Sequence, residues 1–118
     1  NGTYIAAGDV NGDGFADLVA GGGPGGGPRV SVFSGADLLR NVQTRFVDFF
    51  AGNTANTGGV RVAVKNLDND LRADLVVGDG PGAGGRVTAY YGKNLTAAGG
   101  PPAFSFEAFQ TLGGVFVG

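Results

Sequence analysis

A gapless internal repeat constrains this chain more than any other feature. Residues 6–35 lie over residues 63–92 at a fixed offset of 57, and about half of these thirty positions are identical. The shared positions include Asp13/Asp70, the Ala-Asp-Leu-Val run at 16–19 and 73–76, Gly-Pro-Gly at 23–25 and 80–82, and Arg-Val at 29–30 and 86–87. Self-similarity at this period means one supersecondary unit used twice. The fold must then be one in which neighbouring units bury each other's faces.

Each unit reads as four short strands. Alternation and aromatic or β-branched runs predict Thr3–Ala7, Phe15–Ala20, Arg29–Phe33 and Arg45–Phe50 in the first unit. The second repeats the order as Val60–Val64, Arg72–Val77, Arg86–Tyr91 and Phe104–Phe109. Only Ala36–Arg40 has any helical character. Glycine is extreme at 25 of 118 residues, but it has no period of three, and 42% of the chain is hydrophobic. Collagen and disorder are therefore excluded, and the glycines belong to tight turns.

Four strands per unit of about 57 residues with Gly-rich hairpin turns predict an all-β fold of β-propeller blades. Two four-stranded antiparallel blades are expected, one over 1–57 and one over 58–112. A single blade cannot bury both faces of its sheet, whereas four to eight around an axis can. Two blades do not close a ring, so neighbours are expected: copies of the same chain or further blades of a longer one. Gly113-Gly114-Val115-Phe116-Val117 also repeats Gly58-Gly59-Val60-Arg61-Val62, in the phase of Asn1–Ile5. Residues 113–118 are thus a surplus first strand, placed to pair with another blade or subunit, or to cover an exposed sheet edge.

The absences narrow the chemistry. There is no cysteine and no histidine, which removes thiol nucleophiles, disulfides and the commonest general base. No apolar run is long enough to span a membrane, and a start at Asn1 without a signal peptide reads as processed or excised. A pI of 4.7 without a basic cluster argues against nucleic acid. Six of the ten acids sit in two short segments, around 9–17 and 68–74. Concentrated carboxylates repel one another unless a cation lies between them, and two divalent ions would turn the net charge from −2 to +2.

The first segment runs Asp9-Val10-Asn11-Gly12-Asp13-Gly14-Phe15-Ala16-Asp17. Alternate residues of a tight loop aim side chains at one centre, and calcium takes six to eight hard oxygens. Asp9, Asn11 and Asp13 supply the first three, the Phe15 carbonyl points inward, and Asp17 closes the site. Gly14 permits the sharp turn at positive φ. The loop opens like an EF-hand but joins strands and lacks the distant Glu. The second segment, Asn66-Leu67-Asp68-Asn69-Asp70-Leu71-Arg72-Ala73-Asp74, departs from it at two places. Asn66 replaces the first carboxylate. Leu71 replaces Gly14, where a left-handed backbone would cost about 1–2 kcal/mol. Asp68, Asp70 and Asp74 remain, so a second calcium site here is expected to be weaker or absent.

These motifs carry a resemblance. Ala6-Ala7-Gly8-Asp9-Val10-Asn11-Gly12-Asp13-Gly14, then Ala16-Asp17-Leu18-Val19-Ala20-Gly21, and their counterparts resemble the FG-GAP/VCBS-type repeat of integrin α propellers and bacterial surface proteins. The resemblance implies a calcium-stabilised blade with its metal loop between the first two strands. It implies Asp9, Asn11, Asp13, Phe15 and Asp17 as ligands, and likewise Asn66, Asp68, Asp70, the Arg72 carbonyl and Asp74. It also implies an extracellular or cell-surface role in adhesion, ligand binding or scaffolding.

The remaining features have structural readings beside functional ones. Gly21–Pro28 and Gly80–Gly85 are read as wide turns near the propeller axis rather than phosphate cradles, since no Gly-Lys-Ser/Thr follows. The strand aromatics are read as packing between blades. Tyr90 and Tyr91 point to opposite faces, so one of them is available to a ligand such as a sugar. Arg29 and Arg86 are expected to bond turn carbonyls or an acid on the adjacent blade. Asp48 and Glu107 stand alone, which leaves no carboxylate pair for hydrolysis. The chain is therefore expected to be a binding or structural module and not an enzyme, with a lectin-like module as the alternative.

Overall fold

A computed structural model describes residues 2–82, 84–109 and 113–118. The first unit forms β1 (Thr3–Gly8), β2 (Asp17–Gly22), β3 (Arg29–Phe33), a short helix α1 (Gly35–Leu38) and β4 (Arg45–Phe50). The second forms β5 (Val60–Lys65), β6 (Asp74–Asp79), β7 (Gly85–Tyr90), a 3-10 turn over Gly92–Asn94, and β8 (Phe104–Phe109). Each unit is one four-stranded antiparallel sheet, in the order β1-β2-β3-β4 and β5-β6-β7-β8. These are two propeller blades, and the two sheets do not close into a ring.

Two strands begin later than the sequence predicts. Pairing starts at Gly8↔Asp17 and Lys65↔Asp74, so Phe15, Ala16, Arg72 and Ala73 belong to the acidic loops. Aspartate side chains there bond loop amides, and those amides cannot also serve a ladder. The short helix lies where the weak helical pattern stood, with the Ser34 hydroxyl accepting from the Asp37 N–H at 3.2 Å.

The core lies between the blades. Val10, Val19, Val30, Val32 and Val47 from the first blade pack with Val60, Val62, Leu75, Val77 and Tyr90 from the second. Alternation decides which residues take part. Along β2, Asp17, Val19 and Gly21 are buried and Leu18 and Ala20 only half-buried. A Cβ on Gly21 would lie 2.8 Å from the Val60 carbonyl oxygen, so the innermost strand of the second blade rests on bare backbone. The Phe49 and Tyr90 rings meet edge to face across the interface at 5.1 Å.

Residues 113–118 lie against the second blade. The Val115 N–H donates to the Asp79 carbonyl at 2.8 Å, and Val115 is buried. A Cβ on Gly78 would lie 2.6 Å from the Val115 carbonyl oxygen and 3.1 Å from Cγ1 of both Val115 and Val117. This copies how Val60 and Val62 cover Gly21. One position recurs in all three first-strand copies, as Tyr4, Arg61 and Phe116. The Arg61 guanidinium lies 3.8 Å from the Phe116 ring centre and 5.6 Å from that of Tyr4.

Candidate metal centre

Both acidic loops join the first and second strands of their blades, and the last aspartate of each anchors it. The Asp17 carboxylate accepts from the N–H groups of Val10 at 2.9 Å, Asn11 at 3.3 Å and Gly35 at 3.1 Å. Asp74 repeats this with Leu67 at 2.7 Å, Asp68 at 3.3 Å and Gly92 at 2.8 Å. Both carboxylates are nearly inaccessible. Burial pushes the Asp17 carboxyl above its ordinary value, and the three amides offset that only in part.

Ahead of the anchor the loops differ. In the first, Asp9 accepts from the N–H groups of Gly12 at 2.8 Å, Asp13 at 3.1 Å and Gly14 at 2.9 Å. Asn11 accepts from the Asp13 N–H at 3.1 Å, and Asp13 from that of Phe15 at 2.9 Å. Gly12 and Gly14 both take positive φ, at 77° and 88°, as the turn at Gly14 was expected to need. In the second loop Asn66 does not take the part of Asp9; its Nδ2 donates to the Asp70 carbonyl at 3.1 Å. The strain expected at Leu71 does not arise. Asn69, the counterpart of Gly12, carries the positive φ at 59°, a conformation asparagine tolerates.

The structure gathers the carboxylates in the loop expected to be the weaker. Ligand atoms of Asp68, Asp70 and Asp74 lie within 4.8 Å of one another, the one such acidic group among the described residues. Oδ2 of Asp68 is buried without a hydrogen-bond partner, although the Lys93 ammonium stands 3.4 Å away. Burial raises the Asp68 carboxyl, but hydrogen bonding with Asp70 and the Lys93 charge outweigh it, so it stays below its ordinary value. Three convergent carboxylates fit a hard divalent cation that takes oxygen ligands.

Residues 1–36 match the family model of the FG-GAP repeat. The first unit is an FG-GAP repeat. The second blade repeats its strand order, its register and its anchoring aspartate without a gap, so the two blades are copies of one structural unit. No curated protein and no solved structure matches the chain significantly. Among the described residues, no helix is long and apolar enough to cross a membrane.

Outside the acidic loops, several residues have different partners from those expected. Arg29 bonds Asp48 through two nitrogens, at 2.9 and 2.8 Å, and the Ser31 hydroxyl adds a bond at 2.9 Å. Arg86 bonds the Ser105 hydroxyl at 2.9 Å and Glu107 at 3.1 Å. Both arginines thus hold the neighbouring strand of their own blade, not a turn carbonyl or an adjacent blade. Asp48 and Glu107 do not stand alone. Ser31 faces Asp48 across β3 and β4 with Arg29 on the diagonal, and Arg86 faces Glu107 across β7 and β8, pairings that one-dimensional spacing does not reveal. The Arg29 guanidinium holds the Asp48 carboxyl far below its ordinary value, with Ser31 and Arg45 adding to the effect. Tyr90 is buried, and Tyr91 is half-buried with Lys93 over its ring at 5.2 Å.

A polar pocket of about 520 Å³ opens beside the link between blades, lined by Asn53, Asn56, Thr57, Asp79 and Arg86 among others. Burial raises the Asp79 carboxyl; Arg86 lowers it and Glu107 raises it. Sequence reasoning passed over Asp79 because its counterpart in the first unit is Gly22.

Proposed function

We propose that this chain is a calcium-stabilised propeller module with a structural or interaction role, adhesion or scaffolding, outside the cell or at its surface. The carrying observation is the cluster of Asp68, Asp70 and Asp74, whose ligand atoms lie within 4.8 Å of one another. FG-GAP repeats often bind calcium and typically occur in extracellular proteins, which supports the reading. In it, Asp9, Asn11, Asp13, the Phe15 carbonyl and Asp17 hold one ion. Asn66, Asp68, Asp70, the Arg72 carbonyl and Asp74 hold the second. The ring is completed by copies of the chain or by further blades of a longer one. A non-catalytic role is supported by the lack of His and Cys and by the arginine partners of Asp48 and Glu107.

Calorimetric titration with calcium, and melting in calcium against chelator, test this. At about 100 times the dissociation constant, one ion adds about 2.7 kcal/mol, so melting should rise by roughly 10 °C. Asp68→Asn should abolish binding at the second loop and leave the first. Equal melting temperatures in the two buffers, with no heat of binding, overturn the reading.

The polar pocket of Asn56, Asp79 and Arg86 favours one second reading, a lectin-like module with a glycan held beside the Gly-rich turn. A glycan array separates the two: retention that Asp79→Ala removes supports the lectin, and no retention supports the scaffold.

A further inference from the structure

The interface between the two blades is also a template for a contact that the chain presents unfilled at both ends. Three apolar positions of the first blade are covered by the second: Val10 and Val47 are buried, and Phe49 meets Tyr90 edge to face. Their counterparts on the second blade are Leu67, Phe104 and Phe106, exposed by 42%, 44% and 49%. The complementary side behaves the same way. Val62 is 6% exposed against the first blade, while its counterpart Ile5 on the outward face of β1 is 67% exposed. Two exposed apolar faces with the residues of an already formed interface are unlike the scattered single residues of an ordinary surface.

The fit extends to a knob and a socket. Val10 sits where the Ala73 N–H donates to the Asp9 carbonyl at 2.7 Å, with the Val10 carbonyl 3.1 Å from where a Gly92 Cβ would lie. Subtracting one repeat from the residues around it leads to Ala7, Ala16, Leu18, Gly35 and Leu38. Those residues line an open, mostly apolar pocket of about 400 Å³ on the outward face of the first blade. Leu67, the counterpart of Val10, stands exposed at the other end of the chain. One slot of the contact is already taken. Val115 and Val117 cover Gly78 as Val60 and Val62 cover Gly21, and Thr3 and Ile5 are the equivalent residues of β1.

We propose that the two outward faces form a head-to-tail contact between copies of this chain. Leu67 and Phe106 of one copy pack on the pocket and on Phe33 of the next, and residues 113–118 occupy the slot that the incoming β1 must enter. The contact is heterologous, so it propagates from copy to copy into a ring or an open filament. The inference deepens the scaffold reading and rests on it for the partner, but it does not depend on bound metal.

The test is light scattering against protein concentration, with calcium present throughout and calcium binding measured on the same samples. Val115→Asp loosens the segment and should tighten association by about tenfold or more relative to the native chain. Adding Phe106→Lys to that variant should return it to a single copy. Val117→Asp gives the same comparison if Val115→Asp does not melt as a folded protein. A loosened variant no more associated than the native chain, or one that still assembles with Phe106→Lys, overturns the contact. A loosened variant that binds calcium yet stays a single copy would sink the contact alone, and assembly without calcium binding would sink the metal reading alone.

Discussion

At the scale of single residues, Asp17 and Asp74 each anchor an acidic loop to its blade. Each gives acceptors to three backbone N–H groups, two from its own loop and one from the segment after the third strand. Buried amides stripped of an acceptor cost about 1–3 kcal/mol each before relaxation. Asp17→Ala should therefore lose about 3 kcal/mol by denaturant unfolding, and it should do so in chelator as well as in calcium. A loss seen only in calcium would mean that Asp17 acts through the ion alone. Asp48 makes a prediction of opposite chemical origin. Its carboxyl is held below the ordinary 3.8, so its stabilisation is full above that value and lost as pH falls through and beneath it. The fall in stability from about pH 5 to about pH 2 should be smaller in Asp48→Asn than in the native chain.

At the scale of elements, the repeat makes pairs of positions that differ only in what covers them. Phe49 and Phe106 are counterparts on β4 and β8, yet one meets Tyr90 and the other is 49% exposed. Phe49→Ala should cost about 2–3 kcal/mol, while Phe106→Ala in dilute protein should stay within about 0.5 kcal/mol. Equal costs would mean that the order of the blades does not govern burial. Most of this architecture was legible in the sequence. The alternation and turn chemistry located all eight strands, with β3, β4 and β8 at their observed ends. The starts of β2 and β6 were not legible, because Phe15 and Arg72 stand in strand-like runs but their own N–H groups donate to Asp13 and Asp70. The Arg29–Asp48 pair was hidden for a different reason, since cross-strand register has no trace in linear spacing.

At the scale of the whole molecule, two sheets share one core and leave their outward faces bare. β6 is flanked by β5 and β7, lies over the first blade, and is covered at Gly78 by Val115. β8 is an edge strand with all six residues exposed. Hydrogen exchange should follow that difference, with β6 amides such as Val76 and Val77 slower by roughly a hundredfold or more than the outward amides of β8. Uniform protection across the second sheet would contradict a single core between the blades.

The amino-acid sequence alone determined the unit, its duplication and the identity of the acidic loops. These depend on local rules: a side-chain period of two in strands, glycine and proline at turns, and alternate oxygens around a small ring. Tertiary structure alone decided which copy of each repeated residue is covered, because burial depends on the neighbour and not on the residue. It decided that Asp68, Asp70 and Asp74 converge, where Asn66 turns to the Asp70 carbonyl and Asn69 takes the left-handed turn in place of Leu71. It also laid residues 113–118 on Gly78, since only the packed blade presents bare backbone for a first strand to rest on.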